Sequence, residues 1–221
     1  MIIRRVMTKN PVCIYPDVSV NEARALMQKE KIGRLPVLDK NNSLAGILTK
    51  KDLLKAGPTM ATSLDMYEIS YLLSKIKVKD IMEKKVITVD ENEVVEEAAR
   101  IMADHDISCL PVTRGQAGNQ KLLLVGIITG TDLFRVFINA FGARHPGIRL
   151  TFNMREQPGQ LAKLAGAIAE RGGNIVAFVS SEGDDLSRHR GTLKVSGISR
   201  ADVEAIIKSI PDAELEDIRD Q

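Results

Sequence analysis

The sequence predicts an α+β protein in which a repeated β-α-β-β-α unit is followed by a different β-α-β-β-α-β unit. Three observations lead to this prediction. Residues 12–37 align without a gap to residues 87–112 at a constant offset of 75. Residues 46–53 align to residues 126–133 at an offset of 80. After residue 141 the repeat gives way to glycines, a proline and another hydrophobic pattern, which indicates a separate domain.

Each repeat begins with a short β-branched run that leads into an amphipathic helix. Ser19, with Glu22 three residues later, predicts a capping box at the start of the first helix. The apolar residues of both helices recur at the spacing of one helical stripe. They are Val20, Ala23, Leu26 and Met27 in the first copy and Val95, Ala98, Ile101 and Met102 in the second.

Two strand-like runs and a closing helix complete each repeat. The strands are expected at residues 35–38 and 44–48, and at 110–112 and 122–128. The change of offset places five extra residues around 114–121, which predicts a longer hairpin turn. Because a unit of about 50–60 residues is marginal for a core of its own, the copies should pack on one another. The joining segment 57–79 should contain a helix that wraps the pair.

The C-terminal third has its own order of elements. We expect strands at 148–154, 174–181, 191–195 and 213–218, helices at 160–171 and 201–209, and a charged turn at 182–190. This order is that of the ferredoxin-like fold. The predicted domains are residues 1–76 with the linker helix, 77–142 and 147–221.

Composition and charge exclude several functions. The 31 basic and 29 acidic residues give a formal charge of +2, and the chain has 4% aromatic residues and no Trp, which disfavours nucleic-acid binding. The longest apolar run, 122–128, is too short to cross a bilayer, and the start lacks the pattern of a signal peptide. Cys13 and Cys109 lie far apart and the three His are scattered, so we expect a cytoplasmic protein without a metal site.

A Gly-apolar-apolar-Thr-x-x-Asp segment in both repeats is the sharpest chemical signal. Thr49 with Asp52, and Thr129 with Asp132, end a strand and open a helix, where backbone N–H groups and the helix dipole favour a phosphate. A carboxylate there can accept hydrogen bonds from ribose hydroxyls. The alternative is a plain helix cap, in which Thr caps and Asp complements the dipole.

The repeats resemble a tandem pair of CBS domains. The resemblance rests on residues 6–8 (VMT), 33–37 (GRLPV) and 46–52 (GILTKKD) and on their repetition up to Asp132. It implies clefts between the modules that bind AMP, ADP, ATP or S-adenosylmethionine as a regulatory ligand, with no other cofactor required. It implies that the base lies against Cys13, Ile14, Ile32, Gly33 and Arg34 in one cleft and against Thr88, Val89, Ile107, Ser108 and Cys109 in the other.

Arg34 is the basic residue that this resemblance singles out. We expect it to reach across to the nucleotide whose ribose is held by Asp132, and Cys109 occupies the equivalent place in the second repeat. The clefts should therefore bind unequally, with the Asp132 cleft tighter. The alternative is that Arg34 is an ordinary surface charge. Cys13 and Cys109 are expected to be packed residues rather than reactive thiols.

The C-terminal third is similar to an ACT domain. The resemblance rests on residues 155–161 (REQPGQL) and 173–175 (GNI), with Glu156 where aspartate is more usual. It implies a small amino acid at a dimer interface near Glu156, Gly159, Asn174 and Ile175. The alternative is that Pro158 and Gly159 only start the helix at Gln160. We favour pairing of two such domains over tight binding of an amino acid.

The domain order and the linker 70–82 look most like the acetoin-utilization protein (AcuB) family. The resemblance implies a non-enzymatic, homodimeric regulatory protein that binds an adenine nucleotide and acts on a partner protein, without nucleic acid or membrane. The alternative is an amino-acid-sensing subunit in which the CBS pair is a dimerisation scaffold. The sequence offers no nucleophile, acid–base pair or metal set for an enzyme.

Overall fold

The computed structural model describes residues 1–56, 65–115, 123–182 and 187–221. These residues divide into two units, Met1–Leu133 and Phe134–Gln221. Most of the predicted hairpin insertion, the first part of the joining segment and the centre of the charged turn lie outside the described residues.

The first unit contains both repeats up to Leu133, and the last helix of the second repeat continues into the second unit. The elements of the repeats follow the predicted order closely. In the first repeat a single parallel bridge between Ile14 and Val37 stands where an opening strand was predicted. The elements up to the second repeat are β1 (Thr8–Lys9), α1 (Val20–Lys29), β2 (Arg34–Leu38), β3 (Leu44–Thr49), α2 (Lys50–Lys55), α3 (Met66–Lys75) and α4 (Val78–Ile81). The second repeat consists of β4 (Val89–Asp90), α5 (Val95–Asp104), β5 (Cys109–Arg114), β6 (Leu123–Thr129) and α6 (Gly130–Ala140).

Helix α1 shows why the first repeat folds as its pattern predicts. Ser19 and Glu22 form the predicted capping box, with Ser19 Oγ 2.6 Å from Glu22 Oε2, which satisfies donors at the helix start. The apolar stripe of the helix is buried in the core of the repeat, which also takes in Leu73 of α3. The joining segment therefore contains a helix, as predicted, and this helix packs in the core of the first repeat.

The segment that precedes each repeat pairs with the other repeat. Strand β1 pairs with β6 of the second repeat, with Thr8 opposite Ile127. In return, Glu83 and Ile47 of β3 exchange two backbone hydrogen bonds of 2.9 and 3.0 Å. The boundaries of the sequence repeats therefore differ from those of the sheets, because each sheet includes backbone that precedes the other copy.

A glycine in each repeat permits this exchange. A Cβ atom on Gly46 would lie 2.6 Å from Met82 Sδ and 2.9 Å from the backbone oxygen of Glu83. A Cβ atom on Gly126 would lie 2.5 Å from Met7 Sδ and 3.0 Å from the backbone oxygen of Thr8. The glycine of each repeat thus packs against the methionine that precedes the other repeat.

The second unit is a four-stranded antiparallel sheet with two helices. Its elements are β7 (Ile148–Arg155), α7 (Gln160–Glu170), β8 (Asn174–Glu182), β9 (Arg188–Ser196), α8 (Arg200–Ser209) and β10 (Glu214–Asp220), and the strand order is β10-β7-β9-β8. Alternate residues of β7 are buried beneath the helices, as the period of two requires. Strand β9 begins before the predicted residue 191, and it therefore includes His189.

In the part of the chain that the structure describes, no helix is both long enough and apolar enough to span a membrane.

The crossed contact predicts a large effect for a small substitution. Gly46→Ala should destabilise the first unit by about 1–3 kcal/mol, because the new methyl group must displace Met82 and a backbone oxygen. Urea unfolding monitored by circular dichroism measures the change. Gly130→Ala is the matched control, since its Cβ would meet nothing closer than 4.0 Å. Equal stability of the two variants would contradict the account.

Candidate functional site

One cleft of the first unit brings residues of both repeats together. Its volume is about 730 Å³, which is within the range of small-molecule sites. It contains the start of α2 with Thr49 and Asp52, the start of β2 with Gly33 and Arg34, and the segment 106–109 before and at the start of β5. The predicted site residues that meet here are Gly33, Arg34, Thr49, Asp52, Ile107, Ser108 and Cys109.

The cleft carries an excess of positive charge. Five basic side chains line it against three acidic ones. The basic residues are Arg34, Lys50, Lys51, Lys55 and Lys85, and the acidic residues are Asp52, Glu83 and Asp106. A concave surface of this sign concentrates anions, so the cleft suits a ligand that carries phosphate or another negative group.

Thr49 and Asp52 form a complete helix cap. Asp52 Oδ2 accepts hydrogen bonds from the Thr49 backbone N at 2.9 Å and from its hydroxyl at 2.6 Å. Thr129 and Asp132 repeat the arrangement at 3.0 and 2.7 Å. The capping interpretation of the motif is therefore correct in both repeats. It is compatible with ligand binding at Asp52, because these two hydrogen bonds use only one carboxylate oxygen.

Arg34 connects the two repeats inside the cleft. Its Nη2 donates a hydrogen bond of 2.6 Å to Ser108 Oγ. The structure places Arg34 in the cleft that contains Asp52, and its expected reach to a nucleotide held by Asp132 stays a prediction. The contact with Ser108 also shows that Arg34 is not an isolated surface charge.

The other predicted contact residues have different surroundings. Ile14 and Val89 are buried, at 5% and 6% exposure, and Ile14 belongs to the core of the first repeat. Cys13 donates its thiol to the backbone oxygen of Pro11 at 3.2 Å. Cys13, Ile14, Ile32, Thr88 and Val89 are not among the residues that line the cleft, and neither are Thr129 and Asp132.

Sequence reasoning missed several lining residues. Val86 and Ile87 supply apolar surface from the segment before β4, and Lys85 supplies charge from the same segment. The lysine pairs Lys50-Lys51 and Lys84-Lys85 are visible in the sequence, but nothing in their spacing shows that two of these segments face one cleft.

The pKa of the Cys109 thiol depends on its burial and on the charge of Arg34 in the cleft. Cys109 is 8% exposed, and burial raises the pKa of its thiol, while the neighbouring Arg34 guanidinium acts in the opposite direction. Burial also raises the pKa of Cys13. Both cysteines therefore favour the neutral thiol at neutral pH, as expected for packed rather than reactive residues.

The second unit holds a cavity of about 410 Å³ at the start of α7. Glu156, Gly159 and Gln160 line it, and Gly159 adopts a φ of +87° as the N-cap residue. Glu156 Oε2 lies 2.9 Å from His189 Nε2. Asn174 and Ile175 begin β8 and are not among the lining residues, whereas Phe178 and Ser180 of the same strand are.

Gln160 is the unusual member of this cavity. Its side chain is 8% exposed, and its Oε1 has no hydrogen-bond partner among the described residues. A buried acceptor without a donor is costly, so a ligand with a hydrogen-bond donor would be favoured here. The described ranges contain no group of three or more His, Cys, Asp or Glu side chains placed to hold a metal ion.

Comparison with known proteins places the first unit in a family. The family model of the CBS domain matches residues 3–58 and 78–139. This chain is 30% identical in sequence to a candidate acetoin utilization protein (AcuB) from Vibrio cholerae of known crystal structure. The TM-score between the two structures is 0.51, and the match covers 65% of this chain and 95% of that one. The CBS domain pair of protein MJ0100, in complex with 5-methylthioadenosine and S-adenosyl-L-methionine, is 28% identical with a TM-score of 0.50, over 65% and 98% of the chains.

Relatives of known sequence match a similar share of the chain. An uncharacterized protein of Methanocaldococcus jannaschii, MJ1426, is 30% identical over 62% of this chain and 92% of its own length. L-aspartate semialdehyde sulfurtransferase of the same organism is 29% identical over 62% of this chain, but the match spans only 23% of that enzyme.

The effect of Arg34 on Cys109 gives a pH-dependent prediction. Alkylation of Cys109 by iodoacetamide requires the thiolate, so its pH profile follows the thiol pKa. Since Arg34 lowers that pKa, Arg34→Gln should raise it and shift the profile to higher pH. The measurement is made by mass spectrometry in a Cys13→Ser background.

The matched control is Cys13 in a Cys109→Ser background. Its pKa is raised by burial alone, so Arg34→Gln should leave its profile unchanged. A shift of Cys109 to lower pH, or equal shifts of both cysteines, would contradict the described electrostatics.

Proposed function

This chain belongs to the CBS domain family, and we propose that it is a non-enzymatic regulatory protein that binds an adenine nucleotide or S-adenosylmethionine in the cleft of Asp52. The observation that carries the proposal is the meeting of five cationic side chains with the Asp52 carboxylate in one cleft between the repeats. The similar pair from MJ0100, which is complexed with two adenosine compounds, supports the class of ligand.

Each part of such a ligand has a matching surface in the cleft. The ammonium groups of Lys50, Lys51 and Lys85 suit phosphates or a carboxylate. The second carboxylate oxygen of Asp52 can accept hydrogen bonds from ribose hydroxyls. The apolar side chains of Ile47, Val86, Ile87 and Ile107 offer surface for a base.

In this proposal, Arg34 links binding of the ligand to regulation. Its hydrogen bond to Ser108 joins the first repeat to the second. An anionic ligand competes for the guanidinium, because a charge-assisted hydrogen bond to phosphate is stronger than one to a neutral hydroxyl. The ligand therefore binds more tightly to the state in which the hydrogen bond between Arg34 and Ser108 is broken. Such unequal binding to two states is what a switch requires.

We extend the proposal to the second unit, which has the β-α-β-β-α-β order of the ferredoxin-like fold and resembles an ACT domain at residues 155–161 and 173–175. In this proposal the chain is a homodimer, and the second unit passes the signal to a partner protein. The similarity to the Vibrio cholerae structure supports a role in acetoin utilization. The match to a sulfurtransferase covers less than a quarter of that enzyme, so its activity is not proposed for this chain.

A second candidate function rests on Gln160. In this alternative the chain senses an amino acid, whose ammonium group donates to Gln160 Oε1 in the cavity at the start of α7. The CBS pair is then a dimerisation scaffold. A ligand that binds without any dependence on Asp52 would favour this alternative.

Nucleotide binding gives the test of the first candidate. We expect calorimetry with AMP, ADP, ATP and S-adenosylmethionine to detect binding to the intact chain by at least one of them. Asp52→Ala should weaken that binding by about 10–100-fold, because two hydrogen bonds to a charged acceptor are lost.

A helix cap in the second unit supplies the matched control. Ser199 caps α8 in a similar way: its Oγ accepts a hydrogen bond from Asp202 N at 3.1 Å and donates one to Asp202 Oδ2. Asp202→Ala should therefore lower stability slightly and leave nucleotide affinity unchanged. Equal affinity of the Asp52→Ala and wild-type proteins would overturn the assignment of the site, and stabilisation by amino acids alone would replace it with the second candidate.

A further inference from the structure

Lys194 is a buried cation on the face of the sheet opposite the helices of the second unit. It lies in β9 and is 2% exposed. Within the described part of the chain, its ammonium group makes one hydrogen bond, of 3.2 Å, to the neutral Gln221 Oε1. An ammonium group has three donors, and a buried charge without a counter-charge is expensive. An anion bound beside Lys194 would therefore reduce the cost of burying its ammonium group.

The neighbours of Lys194 across the sheet add to this requirement. Arg149 of β7 stands directly opposite Lys194, and Arg219 of β10 stands directly opposite Arg149. Residues opposite one another in this way project from the same face, and like charges in such pairs destabilise a sheet. Asp217 is the carboxylate nearby, and it is shared, 3.4 Å from Arg149 Nη1 and 2.8 Å from Arg219 Nε. Among the described residues, the row of three cations is thus incompletely neutralised.

A cavity opens over this row. Its volume is about 240 Å³, and Lys194 and Arg149 both line it. The rest of its wall is largely apolar and comes from β8 and from the end of α6, where the rings of Phe137 and Phe141 lie 4.3 Å apart. The cavity therefore combines two cations at its floor with an aromatic and aliphatic wall.

We propose that this cavity binds a small organic monocarboxylate, with its carboxylate on Lys194 and Arg149 and its apolar part against Phe137 and Phe141. The cations select an anion and the guanidinium suits a carboxylate. The apolar wall selects an organic acid over inorganic phosphate, and the volume limits the acid to a few carbon atoms or a single ring. This site is separate from the proposed nucleotide cleft and does not depend on it.

The test compares carboxylates with their neutral amides on the intact chain. Propionate and phenylacetate are titrated by calorimetry and by saturation-transfer NMR, beside propionamide, phenylacetamide and inorganic phosphate. We expect at least one of the two acids to bind at least tenfold more tightly than its amide and than phosphate. Absence of binding by both acids, equal binding of acid and amide, or tighter binding of phosphate would each overturn the proposal.

Variants then locate the site. Lys194→Met, which keeps the apolar stem, should abolish acid binding, and Arg149→Gln should weaken it at least fivefold. Lys163→Met, on the exposed surface of α7, is the matched control and should bind as the wild type does. If the acids bind equally to all four proteins, they bind elsewhere and the assignment is wrong.

The stability of the ligand-free variant separates a binding role from a structural one. Replacing an underpaired buried charge by an apolar side chain should leave Tm unchanged or raise it. A lower Tm of Lys194→Met would mean that the ammonium is satisfied within the fold, and it would contradict the proposal. Should this variant fail to fold, that result counts in the same way, and Arg149→Gln still tests the acid binding.

Discussion

The exchange of leading segments between the two repeats is the constraint on which the first unit depends. Each repeat is too small for a comfortable core, and each sheet is extended by backbone from the start of the other copy. The exchange requires close approach at Gly46 and Gly126, where Met82 and Met7 lie. Because the segments cross, neither repeat can complete its sheet alone, and the pair folds as one unit. The same crossing carries Lys85, Val86 and Ile87 to the cleft beside the first repeat, as extensions of the segment that pairs with Ile47.

The cleft follows from this arrangement. The start of α2 comes from one repeat and the segment 106–109 from the other, so the cations of α2 and the Ser108 hydroxyl line the same cleft. Arg34 spans the gap and is already hydrogen-bonded across it. A phosphate-bearing ligand therefore encounters a site in which positive charge is concentrated and one of the cations has a weaker, neutral partner. This is the physical basis on which the proposed site is linked to the contact between the repeats.

Much of this fold could be predicted from the sequence, because many of its elements follow from local sequence patterns. The helical stripe of Val20, Ala23 and Met27, the capping pair Ser19 and Glu22, and the alternation along β7 each depend on neighbours within a few residues. The crossed pairing could not be predicted in this way, since nothing in residues 1–9 indicates which of two similar sheets they join. The contact of Arg34 with Ser108 could not be predicted for the same reason. The buried Lys194 was overlooked because it looks like an ordinary charged residue until the register of β7, β9 and β10 aligns it with Arg149 and Arg219.

Amide hydrogen exchange of the intact chain with and without a bound adenine nucleotide tests the central claim most directly, because it reports where the ligand lies. We expect added protection in the first turn of α2 and in residues 107–109, which both line the cleft, with little change around Gly159. Protection confined to the start of α7, or absent from both walls of the cleft, would contradict it.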